Sequence, residues 1–221
     1  MAIRKTTPLQ RLLELFNLDR LDSDLFVGQP GPGGARLFGG LVAGQAVMAA
    51  GLTVGKGDLH SLHGYFLRPG NHEAPIRYVV HRIRDGRSFT SRDIVAYQSG
   101  EAIFSISSSF TLPDEGFEHQ EPIPQAPEPE EMAEWDPVLG VDPDTAEEWV
   151  RRNPIEVRHV YPPKSMYERA QRAGSAPPEE TGDLPKKLVW IRPRGEMPDD
   201  NLLHTALLVY ASDRGLLGTV A

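Results

Sequence analysis

Four groups of residues in this 221-residue sequence have types and spacings that suit chemistry. Asp213 closes an apolar run, LLHTALLVYAS. A carboxylate with a reference pKa of about 3.9 is ionised at neutral pH, and it becomes a better proton acceptor where burial raises that value. On residue type alone the position suits an ordinary solvated aspartate or a base, although a helix end there disfavours negative charge. Gly39 and Gly40 open a second apolar run, FGGLVAGQAVMAAGLTV. A helix amino terminus presents free amide donors, and glycine lets a ligand approach the backbone, so the pair suits a carbonyl or phosphate oxygen. Close packing of the helix against the sheet explains the same two glycines equally well. His60 and His63 stand in an extended segment whose alternation predicts opposite faces, which argues against shared metal ligation. A structural role fits His60 better than ligand binding, and His72, His81, His119, His159 and His204 show no metal-ligand spacing. Arg82, Arg84, Arg87 and Arg92 surround an Asp85-Gly86 pair; arginine binds phosphate bidentately, but charges at a hairpin are more often simply solvated.

Other chemistries are absent. With no cysteine there is no disulfide framework, thiolate zinc site, iron–sulfur cluster or cysteine nucleophile. No phosphate-binding loop of the Walker type, dinucleotide fingerprint or G-x-S-x-G elbow occurs. No cofactor is expected. The start, MAIRKTTPLQ, leads into no signal-like apolar stretch, and no window approaches the roughly 18 apolar residues of a membrane span, so a cytoplasmic protein is expected. The net charge of -8 argues against nucleic-acid binding. It is unevenly spread: fifteen acidic residues and no lysine or arginine lie between Asp93 and Val150, leaving 23 basic against 16 acidic residues elsewhere. That remainder offers a mildly positive surface to a small anion.

The elements that must position these residues follow from periodicity. Thr7-Pro8 makes a cap and first turn, and Leu9, Leu12, Leu13 and Phe16 recur at helical spacing, so residues 8–18 are predicted to be a short amphipathic helix. After the loop GQPGPGG, residues 38–54 are apolar around nearly the whole circumference, which predicts a buried helix. Residues 59–67, 76–84, 88–98 and 102–111 have strand character, with turn signals at Asp85-Gly86 and Ser99-Gly100. An antiparallel meander is expected, with Ala102, Phe104, Ile106, Ser108 and Phe110 on its apolar face. The fold class is therefore α+β, a curved antiparallel sheet wrapped around a central helix. Fifteen of the twenty prolines lie between Pro113 and Pro198, and Pro113 to about Pro137 reads as an irregular acidic crossover.

The strings FGGLVAGQAVMAA, HSLHGYFLRPG, PIRYVVHRIRDGRSF, IFSISSSF, LPKKLVWIRPRGEMPDD and HTALLVYASDRGLL, in this order over nearly the whole chain, resemble the acyl-CoA thioesterase II family. The resemblance implies two hotdog domains in tandem: an N-terminal hotdog domain (1–112), an acidic proline-rich linker (113–150) and a C-terminal hotdog domain over 151–221. About 72 residues run from Gly39 to Phe110, whereas about twenty follow the start of the corresponding second helix near Asp199 or Asp200. The second domain is thus expected to be partial, its apolar helix needing cover from another chain.

The resemblance further implies hydrolysis of fatty acyl-CoA by a water that an aspartate, a serine or threonine and a glutamine position together, with no covalent intermediate. The aspartate of the family's YASD motif matches Asp213. The hydroxyl and amide fall on strands after the second helix, beyond Ala221, and Thr219 stands too near Asp213 to be assigned by spacing. Gly40 and His60 are the candidate substrate-binding residues. The alternative is a non-catalytic acyl-CoA-binding or assembly subunit. A hotdog hydratase would want an aspartate and a histidine around the first helix, and residues 31–54 contain neither. The expected partners are acyl-CoA and further copies of the chain, because antiparallel hotdog sheets have open edges.

Overall fold

A computed structural model describes residues 6–33, 36–132, 143–160 and 188–214. They fall into two compact units. The larger comprises Arg11–Phe117 and Met197–Arg214, and the remaining described residues make the smaller.

In the larger unit a six-stranded antiparallel sheet lies against two helices. Its elements are α1 (Pro8–Phe16, in this unit from Arg11), β1 (Asp19–Asp22), β2 (Leu25–Gly28), α2 (Gly39–Gly51), β3 (Asp58–Phe66), β4 (Ile76–Asp85), β5 (Phe89–Gln98) and β6 (Glu101–Thr111). The strand order is β1-β2-β4-β5-β6-β3. α2 is buried from Gly40 to Ala50, as its all-round apolar sequence predicts. Alternation on β5 and β6 sends Ile94, Ala96, Phe104, Ile106 and Phe110 into the core. Ser99 (φ 50°) and Gly100 (φ 86°) both take left-handed backbone, so a two-residue primed turn joins Gln98 to its partner Glu101.

The strict meander needs one correction. β4, β5 and β6 pair in sequence, but β3 pairs with β6 at the far edge instead of with β4. The connection after β3 therefore crosses the sheet. Its anchors are Leu67 N donating to Ile103 O and Gln98, whose amide donates to the carbonyls of Asn71 and Ala74 and accepts from Asn71 N. The short strands β1 and β2, which extend the β4 edge, carry too few residues to show a period.

Two buried polar groups hold α2 in place. Gln45 donates to the carbonyls of Leu15 and Gln29 and accepts from the Tyr78 hydroxyl at 2.7 Å, satisfying the amide inside the core. Burial holds the Tyr78 phenol well above its ordinary value of 10.0. At the other end Arg92, only 1% exposed, donates to Thr53 Oγ1 and O, to the carbonyls of Arg84 and Ser91, and to Asp85 at 2.5 Å. Thr53 Oγ1 in turn donates to Ala50 O. A guanidinium is thus fixed at the carboxyl end of α2, where the helix dipole favours a cation. The hairpin arginines are therefore of different kinds: Arg92 is internal, Arg82 pairs with Asp24 at 2.8 Å, and Arg84 and Arg87 are exposed.

The smaller unit holds a 3-10 turn (Pro129–Glu131), α3 (Pro143–Arg152) and a two-stranded antiparallel sheet of β7 (Ile155–His159) and β8 (Val189–Pro193). Glu156 accepts from Arg158 and Arg192, which lower its pKa, Arg192 most of all. Residues 112–128 carry no regular structure, in keeping with their prolines. α3 is an element that proline density concealed. Asp144 in its first turn and Arg151 and Arg152 in its last complement its dipole. Residues 133–142, within the proposed linker, and 161–187, within the proposed second domain, lie outside the described residues.

Candidate active site

α4 (Asn201–Ser212) returns to the larger unit and packs on α2. Asp200 caps it, accepting from Leu202 N at 2.8 Å and Leu203 N at 3.1 Å. The two helices run antiparallel, since Gly40 meets Tyr210, Gly44 meets Ala206 and Gly51 meets Leu202. Glycine is needed along this seam. A Cβ on Gly40 would stand 2.4 Å from the carbonyl oxygen of Tyr210, and one on Gly44 would stand 3.0 Å from that of Ala206. Close packing therefore does account for Gly40, but against the second helix and not, as expected, against the sheet.

Where the seam ends, α2 begins. Its N-cap residue is Phe38, whose side chain cannot cap. Asp213, the C-cap of α4, fills that place: its Oδ2 accepts the Gly40 N–H at 2.8 Å, across 173 residues of sequence. Gly40 is the second helical residue after Phe38, the position whose amide an N-cap oxygen normally satisfies. The unfavourable position of a carboxylate at the end of α4 is offset by the favourable end of α2. Asp213 titrates above its ordinary value because burial disfavours the charge; the Gly40 hydrogen bond and the positive Arg214 act against that rise.

The surroundings are aromatic. A Cβ on Gly39 would meet the Phe66 ring at 2.7 Å and Asp213 Oδ2 at 2.8 Å, which places Phe66 and Asp213 together over the Cβ side of that glycine. Phe66 packs on Phe104 with centroids 4.8 Å apart, yet is 56% exposed. Phe38 and Tyr210 meet edge to face at 5.0 Å. Among the described residues no hydrogen bond reaches Asp213 Oδ1, so that oxygen can accept a proton from a water molecule. No group of three or more metal-ligating side chains occurs among the described residues.

Of the residues singled out by type, Asp213 and Gly40 come together and His60 does not join them. His60 Nε2 lies 2.9 Å from Ser109 Oγ, on the sheet face opposite the core residues Ser108 and Phe110. The expectation that His60 and His63 face opposite ways is corrected by a bulge between Leu59 and Ser61: His63 pairs with Ser107, which shares the outer face with Ser109. Thr219 lies outside the described residues. Phe38, Phe66, Tyr210 and Arg214 were not singled out from sequence. The adjacency of Arg214 to Asp213 and the place of Tyr210 in the YASD motif could have pointed to two of them.

Comparison with known proteins finds relatives of this chain. A model of the acyl-CoA thioesterase N-terminal domain matches residues 28–111, and a model of acyl-CoA thioesterase matches residues 165–221. The chain is 34% identical to acyl-coenzyme A thioesterase 8 of Rattus norvegicus, over 93% of this chain and 65% of that protein. It is 33% identical to acyl-CoA thioesterase 2 of Haemophilus influenzae, over 93% of this chain and 70% of that one. Among solved structures it is similar to an acyl-CoA thioesterase II, TesB2, from Mycobacterium marinum, with 33% identity, a TM-score of 0.71 and coverage of 95% and 69%. A tesB protein from Mycobacterium avium subs paratuberculosis gives 28% identity and a TM-score of 0.72, covering 96% of this chain and 71% of that one. The chain thus spans 65% of the length of the first curated relatives it matches.

Proposed function

From its membership of the acyl-CoA thioesterase II family, with the hotdog fold of that family, we propose that this chain hydrolyses fatty acyl-CoA to the free acid and coenzyme A, with Asp213 as the base. The observation that carries the proposal is the Asp213 carboxylate held by the Gly40 amide at the head of a buried helix. One carboxylate oxygen is anchored and the other can take a proton from water. The water oxygen attacks the thioester carbonyl, and the oxyanion that forms faces the positive end of α2. Collapse of this intermediate breaks the C–S bond, and the proton taken by Asp213 goes to the leaving thiolate. A carboxylate made more basic by burial serves both steps better than a fully solvated one.

Because the Gly40 N–H is already donated to Asp213, this reading gives Gly40 the task of orienting the base, with polarisation of the carbonyl left to the helix end as a whole. His60, on the outer face, takes no part in the step. On the same premise we divide the chain into an N-terminal hotdog domain (1–112), a linker (113–150) and a C-terminal hotdog domain over 151–221, in a cytoplasmic protein that assembles with copies of itself.

Release of free thiol from a fatty acyl-CoA, followed with a thiol reagent, tests the proposal. Hydrolysis by the wild-type chain that is lost in Asp213→Asn supports it. Saturable binding of acyl-CoA without thiol release would assign the chain instead to acyl-CoA binding.

A further inference from the structure

The guanidinium beside Asp213 is held with unusual definition for a residue at a helix end. Its central carbon lies 5.2 Å from the centroid of Phe38 and 5.3 Å from that of Tyr210. Its Nη2 donates to the Tyr210 hydroxyl at 2.9 Å, and its backbone N–H donates to Ala211 O at 3.0 Å. Two aromatic rings and one hydroxyl thus hold the charge in place. The rings are not arbitrary neighbours: Phe38 is the N-cap residue of α2, and Tyr210 supplies the carbonyl against which Gly40 packs.

Asp213 and Arg214 relate to α4 in opposite ways. A cation is favoured at the carboxyl end of a helix and an anion is not, so Arg214 stays with α4 while Asp213 turns to the amino end of α2. Arg214 spends a donor on Tyr210 and Asp213 an acceptor on Gly40. The arginine therefore acts on the carboxylate through space and, among the described residues, leaves Oδ1 without a hydrogen bond.

We propose that Arg214 is a positioning residue of this site: packed against Phe38 and Tyr210, it holds a positive charge beside the half-buried Asp213 carboxylate and so favours the ionised base. This rests on the reading of Asp213 as the base. Burial and the arginine pull the carboxyl in opposite directions, so removing the arginine leaves burial less opposed.

Among the described residues Arg214 is the cation that acts on the Asp213 carboxyl. α2 carries no titratable side chain along its whole length. On α4 the others are His204, bonded to Pro198 O at the far end, and the uncharged Tyr210. On β3, Asp58 is bonded to Asn201 at that same far end, His60 and His63 lie on the outer face, and Tyr65 meets His63 edge to face. Arg36, in the approach to α2, is exposed to solvent.

The test reads Asp213 directly. In the 221-residue chain labelled with 13C at the aspartate side-chain carboxyl carbon, the Asp213 signal is assigned by its loss in Asp213→Asn and then titrated. The midpoint should move to higher pH in Arg214→Gln and stay near wild type in Arg214→Lys, which keeps the charge. Tyr210→Phe, which removes only the anchoring hydroxyl, should move it in the same direction by less, and it decides the matter if Arg214→Gln does not fold. In thioester hydrolysis by Arg214→Gln, the acid limb of kcat/KM should move with the carboxyl, lowering the rate below the midpoint about threefold or more while the plateau above it is largely kept. A midpoint that is the same in wild type and in the folded variants overturns the proposal, as does a fall in rate that is uniform across pH. The titration needs no substrate: if the wild type hydrolyses no thioester, the hydrolase reading fails while the carboxyl measurement still decides the role of Arg214.

Discussion

Asp213 Oδ2 and the amide nitrogen of Gly40 stand 2.8 Å apart, joining the end of a half-buried helix to the start of a buried one. The contact does two things at once. It caps α2, whose own N-cap residue is a phenylalanine, and it fixes one oxygen of a carboxylate that burial has made more basic.

These two roles differ in sign for stability. A carboxyl whose folded pKa is raised above its unfolded value contributes stability while it is protonated, and that contribution is lost as pH rises through the folded value. At neutral pH the ionised Asp213 is therefore a cost. We expect Asp213→Asn, which keeps a side-chain oxygen for Gly40, to leave the melting temperature at pH 7 unchanged or higher while thioester hydrolysis falls by about a hundredfold or more. Calorimetry beside the thiol assay checks both. A large fall in melting temperature would show that the carboxylate is held for structure.

The glycine seam should be graded. Gly40→Ala drives a Cβ to 2.4 Å from a backbone oxygen, which cannot move without separating α2 from α4. Gly44→Ala meets the Phe16 ring at 2.8 Å and the Ala206 carbonyl at 3.0 Å, and the ring can turn aside. Urea unfolding should show a loss of about 1–3 kcal/mol for Gly40→Ala and a smaller loss for Gly44→Ala. Equal losses would mean that the helices adjust more freely than their spacing indicates.

Arg92 and Arg87 flank the same turn and should behave as different kinds of residue. Arg92→Met strips hydrogen bonds from Thr53, Arg84, Ser91 and Asp85 and removes the cation at the carboxyl end of α2. A loss of about 3 kcal/mol is expected, toward the lower side for a broken buried ion pair because Asp85 is exposed. Arg87→Ala should change stability by about 0.5 kcal/mol or less. Thermal unfolding of the two variants compares them directly.

Much of the fold could be read from residue types and periods. α2 was legible because an apolar run of that length with alanine and glycine has no stable alternative to a buried helix, and β4–β6 because their turn residues admit few conformations. The partner of β3 was not, since its pairing with β6 depends on a crossover that no local pattern encodes. The bulge between Leu59 and Ser61 likewise shifts His60 without a glycine or proline to announce it. Arg92 looked like a solvated hairpin charge because burial of a single arginine depends on what packs over it. At the site, Asp213 and Gly40 could each be picked out by type, but a hydrogen bond across 173 residues could not.

Alkaline pH should expose the other buried titrating group. Because burial raises the Tyr78 hydroxyl above 10.0, its contribution is present below that pH and is lost as pH rises through the folded value. Ultraviolet titration should show one tyrosine ionising only as the fold is lost, and Tyr78→Phe should remove that component. Gln45→Leu, which strands the Tyr78 hydroxyl and the carbonyls of Leu15 and Gln29, should cost about 2–3 kcal/mol.

The most direct test of Asp213 as the base is a single turnover of a fatty acyl-CoA in water enriched in 18O, with the acid product and the Asp213 peptide both weighed by mass spectrometry. Attack by a water that Asp213 deprotonates places one 18O in the first molecule of acid and none in the peptide. An unlabelled acid together with an 18O-labelled Asp213 would mean that the carboxylate itself attacks the thioester, and would contradict the account.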